Sequence, residues 1–84
     1  MVGKIVLSLA GRVKGKYSAV INCDKKYVWV ADVKERKIDN PKKKNIKHIS
    51  ITDHTLKNDQ FKTNKSLKKA IAVYNDTVRF KEEP

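Results

Sequence analysis

A mainly β chain, with four to five short strands closing into a small barrel and one C-terminal α-helix, is the fold class this sequence predicts. Three observations carry it. Short apolar runs rich in strand formers recur through the first fifty or so residues. Polar, turn-forming segments separate them, and a helical apolar period begins only beyond residue 64. A chain of 84 residues is the size of one domain. At that size only about 60% of the unfolded surface is buried, so every strand must contribute to a shared core. The single domain spans 1–84, with the barrel over about 3–52 and the helix over about 65–75.

The elements follow in chain order. Residues 4–10 (Lys-Ile-Val-Leu-Ser-Leu-Ala) read as a strand, and Gly11 to Lys16 as a loop with glycine near each end. Tyr17 to Cys23 and Tyr27 to Asp32 are strand-like, and Asp24-Lys25-Lys26 between them has the length and chemistry of a hairpin turn. The expected core includes Ile5, Leu7, Val20, Val28 and Val30. Pro41 biases Asn40 towards extended backbone. Ile46 to Thr52 alternates, which predicts a strand centred on His48 to Ile51, with Ile46, His48 and Ser50 on one face and Lys47, Ile49 and Ile51 on the other. Leu67, Ala70, Ile71 and Tyr74 fall at i, i+3, i+4 and i+7, with Val78 one turn on and Thr63 or Asn64 as N-cap. A hairpin across Asn75-Asp76 competes with this helix, because Thr77 to Phe80 also alternates.

Catalysis and metal binding find little to work with. His48 and His54 lack a nucleophile and orienting acid in any recognisable arrangement, and one cysteine with two histidines six residues apart does not supply a zinc ligand set. The three glycines match no phosphate-cradling motif. Cys23 lies in an apolar run and reads as an inert core residue in a reducing compartment. No enzyme, no cofactor and no metal is therefore expected. No segment approaches the roughly 20 apolar residues needed to span a bilayer, and Val2 to Ala10 lacks a signal-peptide layout, so a cytoplasmic protein without a membrane partner is expected.

The charge is the outlier. Of a formal net +11, Lys4, Arg12, Lys14 and Lys16 give residues 1–23 a net +4 with no acid, and residues 34–48 contribute +5. Charge concentrated in this way repels itself, and a phosphate backbone relieves that repulsion. In the loop, Arg12, Lys14 and Lys16 share a small space with Gly15, where backbone can approach a phosphate closely. Lys42, Lys43, Lys44 and Lys47 are point charges suited to phosphates, while Arg12 and Arg36 can bind bidentately or stack on a base. Tyr17, Tyr27, Trp29, Phe61, Tyr74 and Phe80 are candidate stacking platforms, most of them expected in the core; Trp29 faces opposite to Val28 and Val30, and alternation leaves open which side is buried.

Gly3 to Val20, a strand, a Gly-Arg-x-Lys-Gly-Lys loop and a second strand, resembles the KOW motif of ribosomal proteins and transcription elongation factors. With Val30-Ala31-Asp32, Lys34, Arg36-Lys37-Ile38, Asn40-Pro41-Lys42-Lys43-Lys44 and Ile46-Lys47-His48, the chain is similar to small bacterial KOW-domain RNA-binding proteins, themselves similar to the L-fourteen-e type of large-subunit ribosomal protein. That resemblance implies an SH3-like barrel, monomeric when free, that binds ribosomal RNA of the large subunit beside neighbouring ribosomal proteins. It carries the RNA-contact role onto Arg12, Lys14, Gly15, Lys16, Lys34, Arg36, Lys37, Lys42, Lys43, Lys44, Lys47 and His48. Val13 stands where such relatives would carry an acidic or polar residue. Val33 replaces an expected glycine, which argues against a tight positive-φ turn there. The alternative from another class is an SH3-like protein-interaction module binding an acidic protein partner.

Overall fold

The computed structural model describes residues 1–12 and 14–82, with side chains through Val78; Val13 and the Phe80 side chain lie outside it. Five strands, β1 (Lys4–Ser8), β2 (Tyr17–Cys23), β3 (Tyr27–Ala31), β4 (Lys42–Asn45) and β5 (Ile49–Thr55), form one antiparallel sheet in the order β4-β3-β2-β1-β5. A one-turn 3-10 helix (Ile46–His48) joins the two edge strands, a second (Asn58–Gln60) follows β5, and helix α1 (Asn64–Glu82) ends the chain. The open sheet, its edge strands linked by the 3-10 turn and β5 sharing one inner core with the central strands, gives a mainly β, small SH3-like barrel-type fold with a C-terminal helix, as expected.

β1, β2 and the last residues of β3 are buried on both faces. On the concave side Val6, Val20, Val28, Val30 and Ile49 form an inner core, with Cys23 half-buried against it. On the outer side Ile5, Ala19 and Ala31 meet Leu56 and the α1 residues Leu67, Ala70 and Ile71. The pairings Ile5 to Ala19 and Ala19 to Ala31 place two small side chains side by side, which lets α1 lie close to the sheet. The β-branched, Asn and Asp residues along this helix lower its intrinsic stability, so it depends on that apolar contact. Thr63 caps it: the Ser66 amide donates to Thr63 Oγ1 (3.1 Å) and the Thr63 amide donates to Ser66 Oγ (3.2 Å). The Asp24 turn between β2 and β3 is equally local. Its carboxylate accepts from the amides of Tyr27 (2.7 Å) and Lys26 (2.8 Å), and these bonds, Tyr27's first, hold its pKa below the ordinary value. The stability Asp24 contributes is therefore present above its unfolded pKa and is lost as the pH falls through the lowered folded one.

Four expectations need correction. Of the expected core, Ile5, Val20, Val28 and Val30 are buried, Ile5 on the α1 side and the valines inside with Val6, but Leu7 is only half-buried. Ile46 to His48 is a helical turn, not strand, because Asn45 Oδ1 accepts from the Lys47 amide (2.9 Å). That turn puts Ile46 and Ile49, three apart, on the same inner core, where alternation had separated them. α1 runs to Glu82, and the competing hairpin does not form. Thr77 Oγ1 donates to the Val73 carbonyl (2.9 Å), which satisfies that hydroxyl inside the helix. Lastly, Val33 does adopt a positive φ of 72°. Its amide and that of Asp32 both donate to the Arg36 carbonyl (2.8 and 3.1 Å), while Asp32 Oδ1 accepts from the amides of Glu35 and Arg36. These bonds, with Val33 packed at the edge of the outer core, hold a conformation that costs a β-branched residue about 1–2 kcal/mol.

Gly3 joins three segments. Its amide donates to the Val20 carbonyl (2.8 Å) and its own carbonyl accepts from the Leu56 amide (2.7 Å). At φ +89° a Cβ there would meet the Leu56 carbonyl oxygen and Phe61 Cε1, each at 3.0 Å, whereas a Cβ on Gly15 (φ +84°) meets nothing within 4 Å. Both Gly3→Ala and Gly15→Ala should lose about 1 kcal/mol to the unfavourable φ. Gly3→Ala should lose roughly 1 kcal/mol more, because the Leu56 backbone cannot swing aside. Urea unfolding of the two variants checks this, and equal midpoints would refute the steric part.

Candidate nucleic-acid interface

The face of β4 is set by its register. Lys44 pairs with Val28 and Lys42 with Val30, so both lysines lie on the concave side; Lys43 pairs with Trp29 and lies on the other. At the mouth of the barrel, Lys42 and Lys44 join Arg12 from the β1–β2 loop and Lys34, Arg36 and Lys37 from the β3–β4 connection around one open cleft of about 760 Å³. Six of the cations singled out in the sequence thus line a single concavity. The β3–β4 connection is fixed at both ends: the Asp32 carboxylate holds its first turn, and the Ile38 amide donates to Asn64 Oδ1 at the start of α1 (2.9 Å).

Lys44 and Arg36 are less exposed than the other four, and Lys44 has a buried partner. Lys44 is half-buried, and its Nζ donates to Ser8 Oγ (3.1 Å), a hydroxyl that is itself 1% exposed. Partial burial first, and then repulsion from Lys42, lower the Lys44 pKa, with Asp32 opposing the shift. A cation held in this way is poorly solvated and gains from an incoming anion. Ser18 and Val30 are buried lining residues, and Asp32, Glu35 and Asp39 also border the cleft, leaving its six cations in excess over three acids.

The remaining predicted residues lie elsewhere. Lys14 and Lys16 are exposed on the β1–β2 loop but do not line the cleft. That loop is closed by backbone bonds, with the Gly15 amide donating to the Ser8 carbonyl (2.8 Å) and the Ser8 amide donating to the Lys16 carbonyl (3.0 Å). Lys47 and His48 are exposed on the 3-10 turn, whose His48 carbonyl accepts from the Leu9 amide (2.9 Å). Lys43 faces away from the cleft, with its Nζ 4.2 Å from the Tyr27 ring centroid and 5.8 Å from that of Trp29. Sequence patterning did not single out Ser8, Ser18 or Asp32. The position of Ser8 in an otherwise apolar run was the available signal, since a buried hydroxyl needs a partner. Among the described residues no group of three His, Cys, Asp or Glu side chains could hold a metal ion, and no helix is long and apolar enough to cross a membrane.

Neither the models of known protein families nor the curated proteins contain a match to this chain.

Removing the charge of Lys44 while keeping its stem makes the electrostatic assignment testable. The folded state releases the Lys44 proton at a lower pH than the unfolded chain does, so the penalty for the charge is full at neutral pH. It disappears as the pH rises through the folded pKa towards the unfolded value. Lys44→Met removes that penalty together with the bond to Ser8, so its thermal stability relative to the parent should be most favourable at neutral pH and should fall as the pH rises towards the ordinary lysine range. A difference that stays constant with pH would mean that the lysine charge is not under strain.

Proposed function

We propose that this chain is a non-catalytic, cytoplasmic RNA-binding protein of the KOW type that seats the RNA phosphate backbone across the mouth of its barrel, with large-subunit ribosomal RNA as its target. The observation that carries the proposal is the convergence of Arg12, Lys34, Arg36, Lys37, Lys42 and Lys44 on one cleft from three separate segments of the chain. Nothing in folding requires those segments to share their charge, and doing so raises the energy of the free protein. A polyanion removes that penalty and releases its own condensed counterions. Lys44, desolvated against Ser8, is placed to gain most from a phosphate oxygen. The exposed Lys14, Lys16, Lys47 and His48 flank the same end through the β1–β2 loop and the 3-10 turn, which the Leu9–His48 bond ties together, and they extend the binding surface beyond one nucleotide. Neighbouring ribosomal proteins would meet the remaining surface.

A charge-matched comparison separates this cleft from the general basicity of the chain. Lys65, Lys68 and Lys69 are exposed on α1 and do not line the cleft. Replacing Arg12, Lys42 and Lys44 with alanine removes the same charge as replacing those three. In titrations against ribosomal RNA, the mouth variant should flatten the slope of log K against log salt by about 2 to 3, at roughly 0.7–0.9 for each phosphate it no longer neutralises. The helix variant should leave it nearly unchanged. Equal effects from the two variants would reduce the binding to non-specific charge, and tighter binding to an acidic polypeptide than to RNA would move the protein to the interaction-module class. Sedimentation of the protein with the large ribosomal subunit, abolished by nuclease, tests the choice of RNA.

A further inference from the structure

Tyr27 and Trp29 occupy alternate positions of β3, so their side chains leave the sheet on the same side. That side is continuous with the surface covered by α1 further along the strand, where Ala31 is buried. Neither aromatic belongs to the outer core or the inner one, and both are half-buried. Large aromatics contribute more to a small core than any other side chain, so two of them standing outside both cores on a central strand call for another role. The Lys43 ammonium lies over the Tyr27 ring and approaches that of Trp29, a weak interaction that a better partner for the rings can displace.

We propose that Tyr27 and Trp29, with Lys43 beside them, form a stacking platform for unpaired bases, so that the protein selects single-stranded or looped RNA over duplex. The inference rests on the RNA-binding function proposed above and adds the class of RNA to it. Residues two apart on a strand are roughly 7 Å apart, about twice the ~3.4 Å rise of stacked nucleotides. Successive bases can reach both rings only if they have left each other's stack, which a duplex does not allow. A base that covers the Tyr27 face frees Lys43 to pair with the adjoining phosphate. Through the alternation of β4, Lys42 and Lys44 hold backbone on one side of the strand while Lys43 serves the bases on the other. Asp24 lies close to this patch, and its carboxylate is already engaged by two backbone amides. An acidic peptide would satisfy Lys43 and offer no flat ring to the aromatics.

Trp29 is the only tryptophan in the chain, so its fluorescence reports on this surface directly. A ten-nucleotide oligoadenylate should quench it, and an RNA duplex of equal charge bound at the same salt should not. Tyr27→Leu and Trp29→Leu should each weaken oligoadenylate binding about tenfold, measured by anisotropy of a labelled strand, and leave duplex binding within about twofold. Trp29→Phe, which keeps a ring, should recover most of the loss. If a leucine variant fails to fold, the contrast in quenching between oligoadenylate and duplex in the parent protein decides. Equal quenching by both RNAs, or equal losses for both in the variants, overturns the platform and leaves backbone binding in place. Failure of the parent protein to bind either RNA removes the RNA-binding function and the platform with it. Quenching by polyglutamate at lower concentration than by oligoadenylate also overturns the platform and assigns the surface to an acidic protein.

Discussion

The double burial of β1, β2 and the end of β3 is the constraint on which the rest depends. An 84-residue chain has too little apolar area for a one-sided sheet to be stable, so the same strands are used twice, against α1 on the outside and against their own curled interior on the inside. Ala19 and Ala31 set the outer spacing, because only small side chains there let Leu67, Ala70 and Ile71 reach Ile5. The valines of β1, β2 and β3 set the inner one. With both faces of the sheet centre occupied, positions for charge are left at the edge strands, the loops and the outer face of the helix.

The alternation of β4 then turns a run of three lysines into two surfaces. A lysine run on an edge strand already discourages a further strand from pairing with it. Here the pleat also divides the run, with Lys42 and Lys44 on the concave side and Lys43 on the aromatic side. The charge that looks like one block in the sequence is spatially split, while charge that looks dispersed, from Arg12 to Lys44, is gathered. Linear charge density is therefore a poor guide to the potential a ligand meets, and register is a better one.

How much was legible in the sequence follows from the range of the interactions involved. β2, β3 and the turn between them could be read because their signals are local: alternation, β-branched residues, and an aspartate able to accept two turn amides. The helix could be read from its period, but its end could not, since Asn75-Asp76 is ordinary in an exposed helix face and looks like a turn in one dimension. β1 misled because a strand buried on both faces has no alternation to show. The 3-10 turn at Ile46 was hidden because its cap, Asn45, lies at the end of a lysine run that gives no apolar phase. The cations of the site were all visible as residue types. Their grouping was not, because it depends on the β4 register and on the tie from Ile38 to Asn64, 26 residues away in the chain.

Two local costs border the same cleft. Val33 is held at positive φ in the wall, and Lys44 is desolvated at the base. Elsewhere the chain follows its local preferences, with a capped helix, a satisfied aspartate turn and, among the described residues, no buried side-chain polar atom without a hydrogen-bond partner. The Asp32 carboxylate links the two costs. It accepts the Glu35 and Arg36 amides that shape the Val33 turn, and its charge offsets part of the repulsion on Lys44. A ligand phosphate would take over the second task and leave the first intact. The backbone of the wall is held by these bonds in the free protein. A cleft whose wall and base both cost stability when empty is what is expected where a marginal domain reserves surface for a partner.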